Sequence, residues 1–402
     1  MGNAVSYSIK PMHQSISREA QLLIELCRPP MADVTRPGVH ALLREHIDWP
    51  VFLDWAGQWG VQQVAFGNLL AVENAAVPKQ VIEEVTARRH ASRTGSLVLT
   101  LLMLDLVDAL KETGVAVIIL KGPATALAAY GDPTLRSFAD IDLLVHKEHL
   151  QRVKDVLLER GYLAAYEPSA EPWLLKGAKP LEFSNGRLPV DLHWTLFPRY
   201  QRLDFDMKQI WADSVTIPCL QSQIEVLSPP HNFVFLCGHG AKHRWYQFQS
   251  VCDLARVEAC LSPAEVAETL SVASALNARR LVSLGIRIVR DVFGEGDSRF
   301  DDASLSPDVA TRRLVTEARR FRVTGVLSSG LLTRIHPSLD YLSFWIAARE
   351  RLRDRIGSIS SLLLSSSPGD ASAGPFHSLW RPIRLASGFF RRTLSPKPKA
   401  MS

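Results

Sequence analysis

At Val115 the hydrophobic period of the chain changes, and that change constrains the fold more than any other feature. Before it, apolar residues recur at helical spacing. Val115–Leu120 (VAVIIL) is instead a short, unbroken, β-branched apolar run, the pattern of a buried strand. It ends on Lys121-Gly122-Pro123 and an alanine-rich segment, so the strand runs directly into a helix. A second strand follows at SFADIDLLV, then an amphipathic helix, KEHLQRVKDVLLERGY, closing at Gly161. LEFSNGRLPVDLHWTLF reads as two strands joined at Asn185–Gly186, a hairpin turn signal. The order β-α-β-α-β-β predicts a small mixed sheet with helices on one face.

Helical segments flank this core. In SREAQLLIELCRPP, Ser17 is a candidate N-cap and Pro29–Pro30 a stop. The stretch up to Gly114 continues with amphipathic turns rich in Leu and Trp. From about residue 213 the chain is expected to be mostly helical again, and after Gly357 it runs into Ser, Pro and Gly. The expected class is α+β, in four regions: helical 1–112, mixed-sheet core 113–212, helical 213–356, and a linker with a basic tail at 357–402.

Composition removes other classes. At 402 residues, 47% of them hydrophobic, the chain has ample apolar content for two or three cores. Five cysteines without CxxC spacing read as reduced, mostly buried thiols of a cytoplasmic protein rather than a disulfide framework. The N-terminus lacks the apolar core of a signal peptide, although Gly2 and Ser6 fit the short myristoylation pattern. The most apolar stretch, TGSLVLTLLML, is shorter than the roughly 20 residues a membrane span needs. A net charge of +5 is compatible with a phosphate-bearing partner but does not identify one.

The chemistry-bearing residues lie in the core. Asp140 and Asp142 are two apart on an expected strand, so their carboxylates share a face. Asp191, between Val190 and Leu192, lies on another expected strand. If the strands are neighbours, three carboxylates converge, and a cation must relieve their repulsion. Mg²⁺ is the natural occupant, and it also takes phosphate oxygens. Gly122 at the helix start permits close backbone approach to an anion, Lys121 adds charge, and Arg136 could clamp a phosphate oxygen.

LKGPATALAAYGDPTLRSFADIDLLV, with VKDVLLERGY and VDLHW, resembles the uncharacterised bacterial nucleotidyltransferase family of the DNA polymerase beta superfamily. HGAKHRWYQFQSVCDLARV extends the resemblance, which covers roughly residues 15 to 340. It implies a polymerase beta-like core. It also implies that Gly122 contacts nucleotide phosphates and that Asp140, Asp142 and Asp191 hold Mg²⁺. The implied reaction transfers a nucleoside monophosphate from ATP or another NTP to an acceptor such as a sugar, a peptide or a phosphorylated intermediate. Many superfamily members carry Gly-Ser at the helix start, where this chain has Lys121-Gly122-Pro123. Two other readings keep the fold: a nucleotide sensor without turnover, and a toxin-like enzyme modifying protein or tRNA.

Two features stand outside that core. His239 and His243 share a helix face, but HGAKH lacks the Glu of HExxH and has no cysteine spaced to assist a zinc ion. Polar packing between helices is one reading. The other places Lys242 and His243, with Arg244 and Asp253, in a nucleotide-binding cleft facing the aspartates. The tail mixes Trp380, Phe389 and Phe390 with Arg381, Arg384, Arg391 and Arg392, suited either to packing on the body or to an anionic membrane surface. No nucleic-acid-binding motif accompanies it.

Overall fold

A computed structural model describes residues 16–29, 37–72, 76–294, 298–301, 305, 308–327 and 338–364. Gly2, Ser6 and the aromatic and basic tail residues lie outside them. Five helices open the fold: α1 (Arg18–Cys27), α2 (Pro37–Leu43), α3 (Trp49–Gln58), α4 (Gln62–Ala71) and α5 (Lys79–Glu112). Ser17 caps α1 by accepting a hydrogen bond from the Ala20 N–H. The core then runs β1 (Val117–Ile119), α6 (Pro123–Tyr130), β2 (Ile141–Val145), α7 (Leu150–Glu159), β3 (Leu163–Ala164), α8 (Glu171–Gly177), β4 (Leu181–Ser184) and β5 (Pro189–His193). It continues through α9 (Met207–Ala212), β6 (Val215–Cys219) and β7 (Ser222–Val226). The rest is helical: α10 (Pro229–Lys242), α11 (Phe248–Cys260), α12 (Pro263–Ala275), α13 (Arg279–Phe293), α14 (Val309–Leu327), α15 (Ser338–Ala348) and α16 (Leu352–Leu364).

The seven strands form one mixed sheet in the order β3-β4-β5-β2-β1-β7-β6. The hairpin expected at Asn185–Gly186 joins β4 to β5, with Gly186 at φ +77°. Two expectations need correction. The chain does not turn helical at residue 213, because the β6–β7 hairpin follows and β7 pairs in parallel with β1. Pro218 hides β6 from sequence reading, since proline belongs only at a sheet edge, and β6 is the edge. Near Gly357, where the sequence suggests a linker, α16 continues to Leu364.

The two sheet faces meet different cores, and helices cover both of them, not the one face expected. Val117, Ile119, Ile141, Leu143, Val145, Val190 and Leu192 join Val107 and Leu110 of α5 and Val153 and Leu157 of α7. Ile118, Leu120 and Leu144 point the other way. They enter a second core built jointly from α1, α3 and α4 and from α10, α11 and α13, so both helical flanks pack together over one sheet face. Asp142, Asp191 and His193 alternate onto that face. All five cysteines are free thiols, and Cys260 alone is exposed. No helix among the described residues is long and apolar enough to cross a membrane.

Candidate active site

The site forms where β1 hands over to α6. Gly122 ends the strand at φ +61°, a conformation glycine adopts without the strain a side chain brings, and Pro123 opens the helix. Gly131, also in the left-handed region, closes α6. The Leu120 N–H donates to the Asp142 carbonyl at 3.1 Å, which sets Lys121 beside β2.

Parallel pairing of β2 with β5 places Asp142 directly across from Asp191. Oδ1 of Asp142 accepts from the Lys121 ammonium at 3.0 Å and from Nε2 of His193 at 3.1 Å. Oδ2 of Asp142 is buried without a hydrogen-bond partner. One ligand atom each from Asp142, Asp191 and His193 lies within 4.8 Å of the others. Asp140 falls one residue before the strand, not on it, and lies outside that trio. Its charge still acts on Asp191 and Lys242, so it borders the same space.

Two neighbouring aspartates are driven apart electrostatically. Burial would raise the Asp142 carboxyl, but the Lys121 ammonium and the His193 hydrogen bond hold it well below the usual carboxylate range. Asp191 is pushed up to about 6, first by burial and then by the negative charge of Asp142.

The end of α10 supplies a basic wall opposite. Lys242 is lowered by burial and by Lys121, while Asp142, Asp191 and Asp140 act to raise it. His243 is pushed down to about 4 by burial, Lys242 and Lys121. His239 is held neutral by burial and by the same lysines, and its Nε2 lies 3.3 Å from the Lys121 ammonium. The ammonium can only donate, so Nε2 accepts. Gly240 fixes this helix end: a Cβ there would lie 2.5 Å from the Trp245 ring, which packs flat over it.

Arg136 does not stand free for a phosphate. Its Nε donates to Asp253 at 2.8 Å, and Asp253 also accepts from the Tyr130 hydroxyl at 2.9 Å. This buried group fastens α11 to α6 and to the loop before β2, so Asp253 is held by Arg136 and Tyr130 and does not stand open to a nucleotide. Arg244 is buried at φ +55° in the turn after α10. Lys121, Gly122, Asp140, Asp142, Asp191, Lys242 and His243 are brought together. Sequence reasoning did not place His193 with the aspartates, although it follows Asp191 by two on the same strand. It also missed Glu182, the exposed partner of Asp191 across β4.

A mixed sheet carrying paired strand aspartates beside a glycine-opened helix defines a nucleotidyltransferase-like core. The sequence signature of the uncharacterised nucleotidyltransferase family matches residues 45–294, and the chain belongs to that family. A solved structure, an antigenic nucleotidyltransferase-like protein from Paracoccidioides brasiliensis, is similar at 16% identity and a TM-score of 0.31. That similarity covers 49% of this chain and 93% of the other. Among curated proteins, none matches.

Proposed function

We propose that the chain transfers a nucleoside monophosphate from an NTP, ATP among them, to an acceptor hydroxyl. The observation that carries this reading is the in-register pair Asp142 and Asp191, with Oδ2 of Asp142 buried and unpartnered. An orphaned buried carboxylate oxygen is costly unless a cation meets it, and two carboxylates with an imidazole suit a divalent ion. Asp142 and Asp191 would hold Mg²⁺ through their oxygens, with Asp140 at its rim and His193 hydrogen-bonded to Asp142 beside them. A bound divalent ion would neutralise charge on the phosphoryl oxygens and on the departing pyrophosphate.

The chain's own groups supply the rest. Lys121, Lys242 and the N–H groups at Gly122 face the triphosphate. The acceptor oxygen bonds to the α-phosphorus, the bond to the β-phosphate oxygen breaks, and pyrophosphate leaves. The acceptor proton passes to Asp191, which lies across from Asp142 at the reacting centre. Arg136 acts indirectly, by positioning the loop that carries Asp140.

The test is to incubate the protein with each NTP, Mg²⁺ or Mn²⁺, and candidate sugar and peptide acceptors, and to measure pyrophosphate release. Asp142→Asn and Asp191→Asn are expected to lower turnover by at least about a hundredfold. Undiminished release in both variants would sink the assigned site. A second reading is favoured by the Lys121–Asp142 ion pair, which already neutralises one carboxylate. It makes the chain a nucleotide-binding protein without turnover, and calorimetric binding with no product from any acceptor would select it.

A further inference from the structure

Helix α5 lines a second concavity. Leu70 of α4, Arg89, His90, Arg93 and Leu97 of α5, and Thr134 of the loop after α6 border a pocket of about 330 Å³. No residue of the candidate active site lines it. That volume is at the small end of the range for small-molecule sites.

The two arginines are unequal. Arg93 is paired: Nε donates to Thr134 Oγ1 at 2.9 Å, and Nη2 to Asp132 at 3.0 Å. Arg89 donates from Nε to the Gln63 carbonyl at 3.2 Å and forms no ion pair among the described residues. Burial and then the charge of Arg93, one helical turn away, act against its charge, while Asp132 favours it. Its guanidinium lies against Gly67 of α4, where a Cβ would come within 3.1 Å of Nε and Nη2. A glycine inside a helix costs stability relative to alanine. Here it makes room for a guanidinium that has no ion pair of its own and feels the Asp132 carboxylate, already bonded to Arg93 and Thr134, only through space.

We infer that this pocket binds a small molecule bearing a phosphomonoester or similar oxyanion, with Arg89 presenting its donor fork and Leu70 and Leu97 receiving the apolar part. A planar guanidinium matches phosphate through two parallel hydrogen bonds. Arg93, Thr134 and Asp132 connect the pocket to the loop that carries Arg136 and Asp140, so an occupant bears on the active-site rim. The inference is independent of nucleotidyl transfer.

Arginine Nε–H resonances of the full chain provide the test, with Arg89 assigned by its disappearance in Arg89→Lys. Inorganic phosphate, titrated at constant ionic strength against chloride, is expected to shift the Arg89 signal saturably. Acetate is expected to saturate it at roughly tenfold higher concentration, since it offers fewer oxygens to the fork. Gly67→Ala is expected to weaken the phosphate effect severalfold by displacing the guanidinium. No saturable shift, an equal shift with chloride, or tighter saturation by acetate overturns the assignment. So does a shift that vanishes in Lys242→Met, which would place the phosphate in the active site.

Discussion

Asp142 and Asp191 are chemically identical side chains that face each other across a strand pair, yet their environments separate them. Asp142 has two hydrogen-bond donors, whereas burial and the Asp142 charge hold Asp191 near a pKa of about 6. Its folded value lies above its unfolded one. The stability it contributes is therefore fully present below about pH 4 and is lost as pH rises through 6. Asp191→Asn is expected to raise the metal-free melting temperature at pH 8 and to leave it nearly unchanged at pH 4, as calorimetry would show. Metal must displace that proton, so Mn²⁺ affinity of the wild type is expected to fall about tenfold per pH unit below 6. Titration calorimetry in buffers of different ionisation enthalpy measures both the affinity and the released proton. The alternation of strand side chains made Asp142 and Asp191 legible in sequence, because each sits between two core residues. Asp140 followed the same parity but fell just outside the strand. The Arg136–Asp253 pair was not legible, because partners 117 residues apart leave no local trace.

At the scale of elements, the end of α10 shows how packing places charge. The sequence HGAKHRW drew attention for its histidines and lysine, but its glycine has the decisive geometry. Trp245 folds back over Gly240, and the turn between them carries His243 and Arg244. Gly240→Ala would set a methyl group into the indole ring. The expected cost is about 1–3 kcal/mol of stability, with a loss of nucleotide affinity as Lys242 and His243 move. A denaturant melt and nucleotide calorimetry on the same preparation check both effects. Affinity unchanged beside lost stability would remove α10 from the nucleotide site. The β6–β7 hairpin escaped sequence reading for the opposite reason. Pro218 breaks the strand pattern, and only the edge position, a long-range property, makes it acceptable.

For the whole molecule, the sequence divides into three successive blocks and a tail, while the described residues build two cores. The first and third blocks merge over the sheet face that bears the site. That merger leaves no periodic signature, because each helix shows only that it has an apolar stripe, not which helix covers it. A fragment of residues 113–226 is therefore expected to aggregate or remain unfolded, since Ile118, Leu120 and Leu144 lose their cover. Circular dichroism and gel filtration of that fragment test this, and a folded monomer would contradict the shared core.

One side chain marks the junction. The Gln249 amide donates to the carbonyl of Gly60, 189 residues earlier, and to that of Ser137, 112 residues earlier. On the ribosome the acidic strands are made long before the basic helix that faces them. The nascent chain thus carries Asp142 and Asp191 without Lys242 opposite, and β1 without its β7 neighbour. Closure waits for the later half, as for any topology dominated by distant pairings. The completed site is in this sense a late checkpoint: only a chain translated well beyond Gln249 can bring its charges together.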